Sequence, residues 1–235
     1  MKNKNYGILN LSFIDKIIEK KRLEIFNIII KKIGDNSIQS ILDIGSACGG
    51  LGEVLKRRYK INNYTGVEIN KQANELAKLK NKKFNFYNSD LLNFEKKKKI
   101  KTKFNYVFSL GCVDWNHELD KMLKKAWMHV KRKGFLIITL RLTNISKFKK
   151  SYQFINFSKK MRGEKASYQV LYIENFIKKL SKLNISKILY YGYWGKPNKT
   201  VVTEHKKIFF IALAMQKNSS SKNIIKLDKL KKIIF

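Results

Sequence analysis

The chain has 235 residues, of which 44% are hydrophobic and 12% aromatic; this is enough for one packed α/β domain and excludes global disorder. It carries 51 Lys and Arg against 17 Asp and Glu, a formal net charge of +34. Its apolar runs are too short to span a bilayer, and its two cysteines exclude a disulfide framework, so we expect a reduced, cytoplasmic protein.

The basic charge has two explanations. A strongly basic chain often binds a polyanion, above all nucleic acid. Only six of the 51 basic residues are arginine, however, and arginine is the better residue for bidentate contact with phosphate. The abundance of lysine, isoleucine and asparagine is also typical of an AT-rich genome. The charge therefore indicates either a polyanion partner such as RNA or the composition of the genome.

Apolar residues at helical spacing between Phe13 and Ile33 predict an N-terminal helical extension over residues 1–35. Short apolar strands then alternate with helices, which predicts βαβ units and a doubly wound, mostly parallel sheet covered on both faces. The predicted strands are Ser40–Gly45, Tyr64–Ile69, Phe84–Tyr87, Tyr106–Leu110 and Gly134–Leu140, and the predicted helices are Leu51–Tyr59, Lys71–Lys80 and Leu119–Val130.

The last third of the chain has a weaker pattern. Residues 141–167 are basic and aromatic without clean periodicity, and we expect them to form a lid insert with Arg141 at its hinge. A helix over Val170–Leu183 and strands over Ile185–Tyr193 and Lys207–Met215 complete a main domain that spans residues 36–217. Residues 218–235 form a basic C-terminal tail.

The most informative segment joins the first predicted strand to the first helix. Residues 41–52 read ILDIGSACGGLG, and their glycines allow the backbone to turn sharply and to approach a ligand closely. A glycine-rich turn alone is a weak signal, because dinucleotide-binding enzymes share it. Here, however, Asp43 lies two residues before the first glycine, and a second acid, Glu68, ends the next strand.

This combination resembles the class I S-adenosylmethionine-dependent methyltransferases. Their first motif is D/E-x-G-x-G-x-G, and acids follow their second and third strands; alanine stands here in place of the second motif glycine. The resemblance covers residues 41–140 and implies a Rossmann-like sheet of seven strands, with S-adenosylmethionine as the methyl donor. The matching residues, in motif order, are Asp43, Gly45, Ala47, Gly49, Glu68 and Asp90.

The same resemblance implies individual contacts to the donor. Glu68 would bind the two ribose hydroxyls and Asp90 the adenine amino group, while Ile69 and Leu91 would enclose the adenine. The glycine-rich turn and the carbonyl of Leu110 would hold the methionine end. The expected cofactor-binding residues are Asp43, Gly45, Ser46, Ala47, Gly49, Glu68, Ile69, Asp90, Leu91 and Leu110.

The methyl acceptor is expected just past the fourth strand. A hydroxyl acceptor needs a base, which Asp114 or His117 could supply, and the ring of Trp115 could stabilise the sulfonium by cation–π attraction. Arg141 and His205 are further candidates for acceptor binding, and a desolvated Arg141 predicts an anionic group on the acceptor. Three scattered histidines predict no metal site.

Missing motifs narrow the reaction. The single proline, Pro197, lies far from the fourth strand, which excludes the N/D-P-P-Y/F motif of amino-methylating nucleic-acid enzymes of this family; neither cysteine follows a proline, which excludes the cytosine-C5 type. We therefore predict O-methylation of a small or carbohydrate-linked acceptor, since the chain is also similar in outline to methyltransferases of sugar and polysaccharide pathways. An RNA methyltransferase and a catalytically inactive binding subunit are the alternatives, and no oligomeric state is indicated.

Overall fold

The computed structural model describes residues 39–59, 61, 63–94, 103–146, 151–155 and 163–220. The predicted N-terminal extension over residues 1–35 lies outside the described residues, as does the tail beyond residue 220. Among the helices in the described part, none is long and apolar enough to cross a membrane.

Strands and helices alternate through the first half of the described chain, as predicted. The helices are α1 (Gly50–Tyr59), α2 (Lys71–Lys80), α3 (Leu119–Met128) and α4 (Ile173–Leu180). The strands are β1 (Ile41–Ile44), β2 (Tyr64–Glu68), β3 (Asn85–Asn88), β4 (Phe104–Ser109), β5 (Val130–Thr143), β6 (Tyr152–Ile155), β7 (Glu164–Ser167), β8 (Leu171–Tyr172), β9 (Ile185–Gly195), β10 (Val201–Val202) and β11 (Ile208–Lys217).

The main sheet has the strand order β3-β2-β1-β4-β5-β11-β9, and the two-residue strand β8 also pairs with β5. The pairs among β1 to β5 are parallel, whereas β11 runs antiparallel to both of its neighbours. This is the predicted seven-stranded, mostly parallel sheet with one short additional strand. The chain order reverses between β1 and β4, and in open α/β sheets ligands bind at the carboxyl ends of the strands beside such a switch point.

An apolar cluster packs on each face of this sheet, and β5 contributes alternate side chains to the two clusters. Leu136 and Ile138 belong to the cluster with α3 and α4, and Phe135 and Ile137 to the one with α1 and α2. Helix α3 turns an apolar stripe at three- and four-residue spacing toward the sheet. The buried residues of that stripe are Leu119, Met122, Leu123, Ala126 and Trp127.

The structure differs from the sequence prediction at the end of β5. This strand continues past Leu140 to Thr143, because Arg141 and Leu142 pair with Phe210 and Phe209 of β11. The polar Arg141 therefore lies inside a buried strand and is not the hinge of a lid. At the other end, α3 stops at Met128 and β5 already begins at Val130, where the prediction continued the helix.

The predicted lid insert also contains regular structure. Its described parts form the antiparallel strands β6 and β7, and β10 pairs with β6 to complete a small three-stranded sheet. The short strand β8 precedes α4, where the sequence predicted one helix over Val170–Leu183. These strands were not predicted because two to four residues are too few to establish an alternating pattern.

Candidate functional site

The glycine-rich turn after β1 adopts a backbone that passes very close to Cys112, in the segment that follows β4. Gly45, Ala47 and Gly49 have φ angles of 75°, 45° and 78°, in the left-handed region that favours glycine. A Cβ atom at Gly45 would lie 2.6 Å from Sγ of Cys112, so a side chain does not fit there. Ala47 holds the same kind of conformation with a side chain present, at a local cost in free energy.

This turn directs a backbone N–H at the acid that ends β2. The Ala47 N–H donates to Oε2 of Glu68 at 2.9 Å, and the Asn70 N–H donates to Oε1 at 2.8 Å. Each carboxylate oxygen thus has one fixed donor and retains capacity for another. The carboxylate is held in one orientation at the carboxyl ends of the strands.

A first cavity of about 390 Å³ opens beside this carboxylate. Its volume lies in the range of small-molecule sites. Ile69 is 73% exposed, an apolar side chain left without cover at the cavity wall, and the half-buried Asp90 accepts the Leu92 N–H at Oδ1. The predicted cofactor residues that line this cavity are Gly45, Ala47, Glu68, Ile69, Asp90 and Leu91.

Asp43, the first acid of the motif, is not among the residues that line either this cavity or the next. It is buried and accepts a hydrogen bond from the Tyr64 hydroxyl. Burial raises the pKa of Asp43 to about 7, the Tyr64 hydrogen bond opposes this rise, and the nearby charge of Glu68 adds to it. Asp43 therefore supports the strand end and the turn from within the core.

Three further predicted cofactor residues also do not line the cavity. Ser46 is buried, and a Cβ atom at Gly49 would lie 2.9 Å from the Phe86 ring, so both contribute to packing of the turn. After β4 the cavity is lined by Gly111 in place of the predicted Leu110. Gly111 has a φ of 66°, and the chain turns into the cavity there.

A second cavity of about 190 Å³ adjoins the first, and Gly111 and Trp115 line both. It is built over the ends of β5, β11 and β9, and the Gly111 N–H is tied to its floor by donating to Thr139 Oγ1 at 2.7 Å. Most of its large side chains are aromatic, and it also contains one acidic and one basic side chain. Those that carry the site are Asp114, Trp115, Arg141, Tyr168, Tyr191, Tyr193 and Phe210.

Arg141 and Asp114 form a buried ion pair in the wall of this second cavity. Nε of Arg141 donates to Oδ2 of Asp114 at 2.7 Å and Nη2 donates to the Asp114 carbonyl at 2.9 Å, with both side chains 6% exposed. The guanidinium lies 3.6 Å from the ring centre of Tyr168 and 5.2 Å from that of Trp115. Because Asp114 supplies the counter-charge, the buried arginine is no longer a reason to expect an anionic acceptor.

The two histidines predicted at the site lie elsewhere. The short helical turn Val113–Trp115 turns Trp115 toward the cavities and leaves His117 exposed beside a different cavity, one that adjoins the start of α3. His205 is buried near β10, where its backbone N–H donates to Thr203 Oγ1 at 3.3 Å, and it lines neither cavity. Burial lowers the pKa of His205, partly opposed by the charge of Glu204.

Sequence reasoning missed most of the residues that line the second cavity. Tyr191 and Tyr193 are two residues apart on β9, as are Thr139 and Arg141 on β5, so that each pair shares a face of the sheet. That spacing was the available signal, but only the pairing of β5, β11 and β9 brings the pairs together. The lining residues that were not predicted are Ile44, Val67, Ser89, Gly111, Cys112, Asn116 and Met122 for the first cavity and Gly111, Thr139, Leu140, Tyr168, Tyr191, Tyr193, Phe210, Ile211 and Ala212 for the second.

Comparison with known proteins gives a consistent result. Residues 42–136 match a family model described as a methyltransferase domain. No curated protein sequence matches the chain. Magnesium protoporphyrin IX methyltransferase (ChlM) from Synechocystis PCC 6803, solved with bound S-adenosylmethionine, is 15% identical, with a TM-score of 0.55 over 90% of this chain and 88% of that one.

Two further solved structures are similar over most of their length. The N-methyltransferase NodS from Bradyrhizobium japonicum WM9, in complex with S-adenosylhomocysteine, is 12% identical with a TM-score of 0.54 over 86% of this chain and 87% of that one. The [4+2]-cyclase SpnF is 11% identical with a TM-score of 0.55 over 84% and 82%. At such identities the likeness establishes the fold, and the reaction must be argued from the site.

Proposed function

We propose that this chain, which has the class I S-adenosylmethionine-dependent methyltransferase fold and carries a methyltransferase domain over residues 42–136, methylates an oxygen of a small, uncharged acceptor. A hydroxyl on a sugar or on a carbohydrate-linked compound belongs to this class. The observation that carries the proposal is the pair of adjoining cavities, which meet at Gly111 and Trp115. Two reactants held on either side of one residue pair are positioned for direct transfer.

The first cavity fits the donor. Glu68 offers a carboxylate whose two oxygens are already oriented by backbone N–H groups, which suits a pair of adjacent ribose hydroxyls. The exposed Ile69 side chain and the buried Leu91 give apolar walls for the adenine, with Asp90 beside them. When bound there, the donor supplies an electrophilic methyl group on a positively charged sulfur.

The second cavity fits the acceptor. Asp114 is the one carboxylate among its lining residues, and the guanidinium of Arg141 keeps that carboxylate in place. A hydroxyl acceptor directed at Gly111 and Trp115 would give up its proton as the methyl group arrives, and Asp114 is the group in this cavity suited to accept that proton. Trp115 offers an aromatic face to both cavities.

The charge balance of the lining favours an uncharged acceptor. Arg141 and Asp114 neutralise each other, and the remaining side chains are aromatic, aliphatic or hydroxyl-bearing. Burial raises the pKa of Tyr168, with the charge of Arg141 opposing the rise, so its phenol stays protonated near neutral pH. A phosphate or carboxylate would enter this cavity without a free counter-charge.

Transfer of a ¹³C-labelled methyl group tests this proposal. The purified chain is incubated with ¹³C-methyl donor and separate panels of neutral glycosides and phenols, primary amines, and RNA oligonucleotides. We expect a methyl ether on a neutral hydroxyl compound, identified by the chemical shift of its methyl carbon, and much less of it with the Glu68→Ala variant when the donor is not saturating. Label on amines or on RNA would contradict the assignment of the acceptor.

A further inference from the structure

The floor of the second cavity is one face of the main sheet. In the register of β5, β11 and β9, Arg141 lies opposite Phe210, which lies opposite Tyr193. Two positions along, Thr139 lies opposite Ala212, which lies opposite Tyr191. Directly opposite residues of antiparallel strands share a face, so these six side chains form two parallel rows under the cavity.

Both rows line the cavity, and they differ in the size of the side chain at their middle. Phe210 occupies the middle of the first row, and the Tyr193 ring stacks on it with the ring centres 5.5 Å apart and the planes at 20°. Ala212 occupies the middle of the second row and contributes a single methyl group between Thr139 and Tyr191. Ala212 lines the cavity and retains 8% exposure, so its methyl group forms the bottom of a slot.

The size of the slot limits its occupant to one ring. An apolar cavity of about 150 Å³ is enough to hold benzene. The second cavity measures about 190 Å³, which suits a six-membered ring with a small substituent, whereas two fused rings would extend beyond it. Thr139 Oγ1 accepts the Gly111 N–H, so the hydrogen of its own hydroxyl group can be donated to an oxygen on such a ring.

We propose that Ala212 determines acceptor size: a neutral, hydroxyl-bearing compound with a single six-membered ring lies over its methyl group, between Thr139 and Tyr191. This inference rests on the proposed function, in that the bound ring is the methyl acceptor. The side chain of Ala212 acts by the space it leaves, and a larger side chain at this position fills the slot. Ala212 lines the second cavity only, whereas Glu68, Asp90 and Leu91 line the first cavity only.

The test uses 4-fluorophenol as a one-ring probe and 6-fluoro-2-naphthol as a two-ring probe. Their binding to the full chain, saturated with S-adenosylhomocysteine, is measured by ¹⁹F NMR. We expect the wild type to bind the one-ring probe and to exclude the two-ring probe. Ala212→Leu should weaken 4-fluorophenol binding at least ten-fold, and Ala212→Gly should admit 6-fluoro-2-naphthol. Ala166→Leu on β7 makes the same change outside both cavities and should leave probe binding unchanged.

Calorimetry with S-adenosylhomocysteine separates loss of the slot from loss of the fold, because its affinity should stay within two-fold of wild type in all three variants. If Ala212→Leu does not fold, the enlarged slot of Ala212→Gly carries the test alone. Equal 4-fluorophenol affinity in wild type and Ala212→Leu, or no binding to wild type, overturns the inference. If probe binding depends on Ala212 but the chain methylates no compound, the proposed function is overturned, and the slot is still supported as a binding site.

Discussion

The buried ion pair between Arg141 and Asp114 allows a quantitative prediction. Arg141→Met retains most of the side-chain length but removes the guanidinium that neutralises the Asp114 carboxylate, together with both hydrogen bonds that it donates to Asp114. Both partners are 6% exposed, so water does not replace the lost charge. Removing one partner of such a pair costs about 3–5 kcal/mol, a large share of the about 5–15 kcal/mol that stabilises a domain.

Removing both charges should cost much less than the two single changes predict. In Asp114→Leu with Arg141→Met no buried charge remains, and the Asp114 carbonyl, which is a backbone group, still accepts the Gln169 N–H at 2.9 Å. We expect a coupling energy of at least about 2 kcal/mol in the double-mutant cycle, within the range for residues in direct contact. Urea unfolding followed by circular dichroism gives the four free energies of unfolding.

A coupling energy below about 0.5 kcal/mol, the level found for independent sites, would contradict a buried, mutually neutralising pair. Additivity would mean that Asp114 and Arg141 are solvated separately and that the second cavity is more open than its geometry indicates. A matched control is Lys179→Met, because Lys179 pairs with the exposed Asp120. This substitution should lower the free energy of unfolding by no more than about 1 kcal/mol.

Three further variants address the first cavity and the motif behind it. Glu68→Ala should weaken S-adenosylhomocysteine binding by about 1.5–3 kcal/mol in calorimetry, since charge-assisted hydrogen bonds are lost. Ala47→Gly should raise the free energy of unfolding, measured in urea, by about 0.5–1 kcal/mol. The strain relieved at φ 45° exceeds the conformational entropy that glycine adds to the unfolded chain. Asp43→Asn should become progressively more stable relative to wild type between pH 4 and pH 8. The pKa of Asp43 is about 7 in the folded protein against an ordinary 3.8, so the folded wild type retains a proton that the unfolded chain releases, and its stability falls as pH rises through that window.

Each of these variants has a clear contrary result. Unchanged donor affinity in a folded Glu68→Ala protein would remove the ribose assignment. A less stable Ala47→Gly protein would show that the alanine methyl group contributes packing that outweighs the strain. A constant stability difference between Asp43→Asn and wild type across pH would mean that the carboxyl titrates normally despite its burial.

The sequence was sufficient to predict the donor side of the fold and insufficient for the acceptor side, for a physical reason. Strands β1 to β4 and the helices between them are local units with strong periodicity, and the residues after each strand end converge by topology alone. Glu68, Asp90 and the turn at Gly45 could therefore be placed together from their order along the chain. The second cavity instead depends on the pairing of β5 with β11 and of β11 with β9, which joins residues far apart in sequence.

Two local expectations were overridden by tertiary contacts. The sequence predicts Arg141 at the hinge of a lid because it begins the long basic and aromatic segment after the fifth strand. In the structure, its ion pair with Asp114 and the ring of Tyr168 satisfy the arginine within β5. His117 is predicted at the methyl-transfer site because it follows β4 closely and because an imidazole can act as a base. The helical turn at Val113–Trp115 changes the direction of the chain in between, and His117 ends on the surface.

The central claim is that the two adjoining cavities transfer a methyl group from S-adenosylmethionine to a small neutral compound, and one measurement tests it most directly. Purified chain is incubated with donor labelled in the methyl group and with cell extract that has been separated by size and by charge. We expect label in the small, uncharged fraction, in a product that resists ribonuclease and is strongly reduced with Glu68→Ala at non-saturating donor. Label in the RNA fraction, or none anywhere while the chain still binds S-adenosylhomocysteine, would contradict it.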